Sequence, residues 1–330
     1  MGKEPTEARS DHWGVILAGG DGTRLRSLVR ALVGDERLKQ FCPVMGGETL
    51  LEQTRRRIAL SVPPDQTLVV VTRAHERYYR PALTGLPPSL AVVQPDSRGT
   101  APAFLYALLR LAAVAPAASV AIFPSDHYVS DDEAFMAHVD GAFAAVRRCP
   151  DRVVLLGVEP DRPEVGYGWI EPGARLLAIS EGRAPTPLVV SAVRRFWEKP
   201  PAPVAAALQR QGSLWNCFVL VGRLPTLLAS ILSALPGLYH AFAALQPALG
   251  TPEEAAAVGR LYASLDPADF SRQVLAARPA DLAVLAIRGV TWSDLGEPAR
   301  VAETRRAVER TRWAAAGRSV DGRLVPSGSA

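Results

Sequence analysis

Cysteine is scarce in this chain. Cys42, Cys149 and Cys217 are the only three in 330 residues, and they lie far apart with no Cys-x-x-Cys pair. An odd, sparse set excludes a disulfide framework and points to free thiols in a reducing compartment. No His/Cys cluster has zinc-site spacing, and His127 stands alone. Long apolar runs are also missing. The richest stretch, 104–123, is interrupted by Arg110 and Pro116, so it reads as a helix followed by a strand and not as a membrane span. The first twelve residues are polar and carry no signal-peptide pattern. A cytoplasmic protein without a membrane partner is expected. Blocks of one charge are absent too: 37 Lys and Arg stand against 33 Asp and Glu, scattered, for a net charge of +4. That argues against a nucleic-acid-binding tail and suits small anionic ligands. There are no internal repeats.

What the chain does have is LAGGDGTRL at 17–25, directly after a short apolar run. Gly19, Gly20 and Gly22 let the backbone turn sharply and present its N–H groups to a ligand. Such a concave array of amides suits phosphate oxygens, and Arg24 and Arg26 add positive charge beside it. The segment lacks the Gly-Lys-Ser/Thr ending of a Walker loop. It also lacks the third glycine of the dinucleotide fingerprint, because Leu25 occupies that position.

The first half of the chain alternates. Apolar runs at 13–17, 67–72, 90–94, 120–124 and 153–158 read as strands, and 50–59, 102–113 and 132–147 carry helical patterns. The strands are nearly all apolar, as expected of strands covered on both faces. Alternation of this kind predicts a three-layer α/β/α fold with a mostly parallel, Rossmann-like sheet. Ligands then gather at the carboxyl ends of the strands. Beyond 157 the pattern changes: an extended segment at 166–173, strands at 188–197 and 214–221, and a helix at 203–211 between them. A mainly helical region follows at 224–277, then a strand at 282–287 and a closing helix at 297–312. This second part reads as a smaller, mixed and helical portion.

Several polar residues fall at the predicted ligand edge. Asp126 follows the fourth strand, flanked by Ser125 and His127. Asp294 lies just before the last helix. Each carboxylate has two readings. Asp126 suits a cap for the next turn, and Asp294, with Ser293, suits an N-terminal cap. Equally, two aspartates from distant strand ends can share a hard divalent cation such as Mg²⁺. Lys39 reads either as a ligand contact or as part of a solvated face. Lys199 sits in a Glu-Lys-Pro turn fixed by the proline after it. Glu198 can accept from sugar hydroxyls, and Asn216 can both donate and accept.

Taken in order, LAGGDGTRL, LKQF (38–41), RGTAPA (98–103), FPSDH (123–127), GYGWI (166–170), FWEKP (196–200), LWN (214–216) and WSDLG (292–296) resemble the mannose-1-phosphate guanylyltransferases. These belong to the sugar-phosphate nucleotidyltransferases, and the likeness runs from residue 14 to about 301. The resemblance implies a nucleotide-diphospho-sugar transferase fold and an enzyme that makes GDP-mannose from GTP and mannose 1-phosphate. It implies that Leu17, Ala18, Gly19, Gly20, Gly22, Thr23 and Arg24 hold the triphosphate with Lys39 assisting. Ser125 and Asp126 would also touch the nucleotide, with Arg98 and Thr100 by the base. Asp126 and Asp294 would bind Mg²⁺. Gly168, Glu198 and Asn216 would contact the sugar, and Lys199 its phosphate. Another sugar, such as a heptose, another nucleotide, or a regulatory paralogue that only binds nucleotide sugar are the alternatives. The implied organisation is a flexible N-terminus (1–12) and a catalytic domain (13–301). The latter has a nucleotide-binding half (13–158) and a sugar-phosphate half (159–301). A C-terminal helix and flexible tail (302–330) follow, and a homodimer is possible. The chain departs from the family's usual residues at Leu38, Gly99, Cys217 and Ser271.

Overall fold

The computed structural model describes residues 11–315 except 181 and 185. The flexible N-terminus and tail expected from the sequence lie almost wholly outside the described residues. The strands are β1 (His12–Leu17), β2 (Thr67–Thr72), β3 (Ala91–Gln94), β4 (Ser119–Pro124), β5 (Tyr128–Val129), β6 (Val153–Val158), β7 (Gly168–Ile179), β8 (Leu188–Glu198), β9 (Leu214–Arg223), β10 (Leu282–Ile287) and β11 (Trp292–Ser293). Nine of them form one sheet in the order β3-β2-β1-β4-β9-β6-β10-β8-β7. β1, β2, β3 and β4 are mutually parallel, as are β6 and β10. β9 pairs antiparallel with both β4 and β6, and β8 pairs antiparallel with β10 and β7. The sheet is therefore mostly parallel, with β8 and β9 running against the rest.

Helices cover both faces, because the strand residues alternate between two cores. Ile16, Val69, Val71, Ala121, Phe123, Val154 and Leu156 pack toward helices Leu50–Ile58 and Asp132–Arg148. Their neighbours Val15, Leu68, Val70, Val120, Ile122, Val153 and Leu155 pack toward helices Thr100–Ala112 and Leu224–Ala234. Each strand is thus apolar on both faces, which explains the unbroken apolar runs. Local chemistry sets the helix starts. Thr49 and Glu52 form a reciprocal capping box, and Asp131 accepts from the Ala134 N–H. The mainly helical region expected at 224–277 comprises Leu224–Ala234, Pro236–Ala243 and Glu254–Ala263, with a π-helical turn at Ser271–Leu275. The last helix, expected at 297–312, runs from Pro298 to Ala315.

The sequence reading missed the helices Arg26–Val33 and Glu76–Ala82 and two short strands. β5 and β11 are two residues each and pair antiparallel, Val129 with Trp292 and Tyr128 with Ser293. This small ribbon lies off the main sheet. It fixes the segment after β4 to the segment before the last helix, and so places Asp126 and Asp294.

Candidate active site

The glycine loop leaves β1 beside the end of β4, where Leu17 pairs with Pro124. Ala18 N–H donates to Val70 O at 2.7 Å, and Ser125 N–H donates to Leu17 O at 3.2 Å. The loop is then fastened by its carbonyls. Thr72 Oγ1 donates to Gly19 O at 2.9 Å, and Gln40 Nε2 donates to Ala18 O and Gly20 O at 3.0 and 2.9 Å. Gly22 turns with φ +51°, in the region glycine favours, and Thr23–Leu25 closes a 3-10 turn. Tying the carbonyls inward turns the amides of this strand-to-helix connection outward. Arg24 is exposed beside the loop and has no ion pair among the described residues.

Lys39 is the hub. It is nearly buried, so the solvated-face reading of this residue is wrong. Its Nζ lies 3.1 Å from Asp126 Oδ2 and donates to Asp294 O at 2.5 Å and Leu295 O at 3.3 Å. The two aspartates, 168 positions apart in sequence, therefore meet around one ammonium group. His127 Nε2 lies 3.6 Å from Asp126 Oδ1, and its ring packs edge-on against Trp292. Burial, helped by the Lys39 charge, lowers the His127 pKa, although Asp126 and Asp294 oppose the shift.

Asp294 is held by one oxygen. Its Oδ1 accepts from Arg300 Nη1 at 2.6 Å, Gly296 N at 2.8 Å and Tyr167 Oη at 3.1 Å. Ser293 Oγ accepts from Leu295 N at 3.2 Å. Both side chains close this turn and do not cap the helix that starts at Pro298. Burial alone would raise the Asp294 pKa. His127, Arg300 and Lys39 outweigh it and hold the carboxyl below its ordinary range. Gly296 is required here, since a Cβ would lie 2.4 Å from Asp294 Oδ2. No group of three or more His, Cys, Asp or Glu residues suits a metal among the described residues. The two aspartates offer the hard oxygens that a Mg²⁺-sized cation takes when phosphates complete its shell.

Arg98, Gly99 and Thr100 are docked on the helical region. Ala268 N donates to Arg98 O, and Ala101 N to Ala268 O, both at 3.0 Å. Thr100 Oγ1 accepts from Phe270 N at 2.8 Å. Gly99 has φ +86°, and a Cβ there would lie 2.3 Å from Ala268 O. The backbone approach accounts for glycine at this position. Arg98 Nε is buried without a partner among the described residues.

The second cluster forms where β7, β8 and β9 meet. Gly168 pairs with Glu198, and a Cβ on Gly168 would come within 3.2 Å of Glu198 Oε2 and 3.3 Å of Asn216 Cβ. Burial raises the Glu198 pKa against the opposing charge of Lys199, whose Nζ lies 3.3 Å away. Asn216 Oδ1 accepts from Phe218 N at 3.1 Å, and Phe218 has φ +60°. Lys199 also has positive φ, +49°, and its N–H donates to Tyr167 O at 3.2 Å. Left-handed backbone at a non-glycine residue costs about 1–3 kcal/mol and concentrates at functional sites. Cys217 faces away, donates Sγ to Leu156 O at 3.1 Å, and burial pushes its thiol up to about 12. It is a core residue.

Sequence reasoning missed Gln40, Tyr167 and Arg300. Gln40 was legible only as part of LKQF. Arg300 lies in an arginine-rich helix and carried no local signal.

Residues 13–311 match the nucleotidyl transferase family model. The xanthan biosynthesis protein XanB of Xanthomonas campestris pv. campestris (strain B100) is 34% identical over 210 residues, 63% of this chain and 41% of that protein. A mannose-1-phosphate guanylyltransferase of Sinorhizobium fredii (strain NBRC 101917 / NGR234) is 30% identical over 293 residues, 85% of this chain and 52% of that one. The chain thus spans about half or less of the length of these relatives. Among solved structures, a mannose-1-phosphate geranyltransferase from Thermus thermophilus superposes with a TM-score of 0.72 at 30% identity, covering 87% of this chain and 76% of that one. No helix among the described residues is long and apolar enough to cross a membrane. With the family model spanning both clusters, the chain belongs to the nucleotidyl transferase family.

Proposed function

We propose that this protein transfers a nucleoside monophosphate from a nucleoside triphosphate, GTP in first place, to a sugar 1-phosphate, mannose 1-phosphate in first place. A phosphate oxygen of the sugar attacks the α-phosphorus, the α–β bridging bond breaks, and pyrophosphate leaves. The observation that carries this reading is the Lys39 ammonium, which meets Asp126 and the Asp294 carbonyl while the adjoining Gln40 fastens the glycine loop.

The sugar phosphate is already an anionic nucleophile, so no general base is needed. The obstacle is to bring two polyanions together in line. The loop amides from Gly19 to Arg24 bind the triphosphate, and Arg24 and Lys39 offset its charge. Arg98 and Thr100 lie by the base. Glu198 and Asn216 receive sugar hydroxyls beside Gly168, and Lys199 pairs with the sugar's phosphate. Asp126 and Asp294 hold Mg²⁺, which when bound polarises the phosphoryl oxygens. Orientation of the two substrates contributes up to about 7–11 kcal/mol of the barrier reduction. Residues 13–158 serve the nucleotide and 159–301 the sugar phosphate. The relatives named as mannose-1-phosphate guanylyltransferases support the choice of GTP and mannose 1-phosphate.

A matrix of nucleoside triphosphates against sugar 1-phosphates, scored by pyrophosphate release, tests the proposal. GTP with mannose 1-phosphate is expected to be fastest. Binding without release for every pair would replace it with a regulatory role.

A further inference from the structure

We propose that Arg300 is the positioning residue of this site: it turns the Asp294 carboxylate away from Lys39 and leaves Oδ2 for a divalent cation. The proposal rests on the reading of Asp294 as a cation ligand. Its basis is the placement of Lys39 beside Asp294. The Lys39 ammonium lies 2.5 Å from the backbone oxygen of Asp294 and 3.1 Å from the Asp126 carboxylate. An Asp294 side chain released from its other partners has His127 as one cationic partner and this ammonium, beside its own backbone oxygen, as another. An ion pair formed there would take a carboxylate from the cation and an ammonium from the triphosphate.

Arg300 prevents this. Its Nη1 donates to Asp294 Oδ1 at 2.6 Å, and its Nη2 lies 3.3 Å from Glu164 Oε1 and 3.5 Å from Glu297 Oε1. The guanidinium plane sits over the Tyr167 ring, 4.5 Å from its centroid. Tyr167 in turn donates to the same Asp294 oxygen and packs edge-on against Trp215 and Trp292. Glu164 is itself fixed, accepting from the Gly166 N–H at 2.8 Å. The Arg300 side chain is 6% exposed, so its geometry is set by packing. A fork anchored on Glu164 and stacked on Tyr167 has one direction left in which to grip Asp294. Groups that orient metal-binding carboxylates in this way change cation affinity about 10–100-fold when removed.

The test is Mn²⁺ binding to the full chain without substrates, followed by electron paramagnetic resonance, alongside the KM for the metal. Arg300→Met keeps the stem over Tyr167 and removes the fork. It is expected to weaken Mn²⁺ binding about tenfold or more and to raise the metal KM in step, with kcat recovering at saturating metal. Arg300→Lys keeps a charge without the fork and is expected to fall between Met and the unaltered chain, which keeps the test usable if Arg300→Met folds poorly. Mn²⁺ binding to Arg300→Met that is unchanged or tighter would overturn the proposal, since a guanidinium that merely repels the cation gives that sign. Asp294→Asn separates the two claims. If it leaves Mn²⁺ affinity unchanged, the cation-ligand reading falls together with the proposal. If it abolishes binding while Arg300→Met leaves binding unchanged, only the role of Arg300 falls.

Discussion

Lys39 Nζ stands 3.1 Å from Asp126 Oδ2, and the lysine side chain is only 8% exposed while the aspartate is 28% exposed. The ammonium is locked and its partner is open to ligand. Lys39→Met is therefore expected to lower kcat about 100-fold or more, equivalent to roughly 2.7 kcal/mol of transition-state stabilisation. The fold should survive, because Asp126 keeps access to water. Steady-state rates and a thermal melt check both halves, and near-normal turnover would refute the role given to Lys39.

Asp126→Asn and Asp294→Asn are expected to reduce turnover at least about 100-fold with far smaller effects on stability. Gly296→Ala offers an independent route to the same carboxylate. Its Cβ would sit 2.4 Å from Asp294 Oδ2 and must displace it. A raised metal KM with an unchanged KM for the sugar phosphate is the expected signature.

Gly99 and Thr100 carry a stability prediction. At φ +86° with Ala268 O 2.3 Å from the added Cβ, Gly99→Ala combines backbone strain with a clash. It is expected to cost more than about 1 kcal/mol in urea unfolding. Thr100→Val removes the acceptor of the Phe270 N–H and is expected to cost about 1–3 kcal/mol. Gly99→Asn, which tolerates a positive φ better than alanine but still carries a Cβ, should destabilise as well. A neutral Gly99→Asn would mean that the 98–100 loop does not depend on Ala268.

Burial raises the Glu198 pKa above its ordinary 4.5. A carboxyl raised on folding contributes stability that is present below 4.5 and is lost as pH climbs through the folded value. Glu198→Gln removes this penalty, so it should gain stability relative to the unaltered chain above that window. It should also flatten the acid limb of kcat/KM for the sugar phosphate, which is expected where Glu198 protonates, above pH 4.5. Melts and rates from pH 4 upward decide it, and an unchanged acid limb in Glu198→Gln would count against a sugar contact.

Much of the fold was legible because its strands are buried on both faces. The run 67–72 is buried at every position and announced itself as an uninterrupted apolar segment. The glycine loop was legible because turn geometry needs particular residues at particular places. Strand direction was not. Nothing in 214–223 says that β9 runs antiparallel between β4 and β6, since direction is decided by partners remote in sequence. The ribbon of β5 and β11 was invisible for a related reason, two residues being too few to show a period. In the site, Lys39 kept two readings in the sequence, ligand contact or solvated face, because Gly34 to Arg37 is polar, whereas its side chain is buried. Arg300 was concealed too: a buried fork in a helix whose Arg306 and Arg310 are exposed.

The Tyr128–Val129 and Trp292–Ser293 pairing has a consequence for biosynthesis. Ser130 and Thr291 are bonded across 161 positions, so the ribbon cannot close until synthesis has passed Ser293. A nascent protein carries its glycine loop and Asp126 early, and gains Asp294 only after both edges of the large sheet have emerged. On the proposed reading of these two aspartates, partly synthesised chains have no turnover, and activity reports that this late segment has docked.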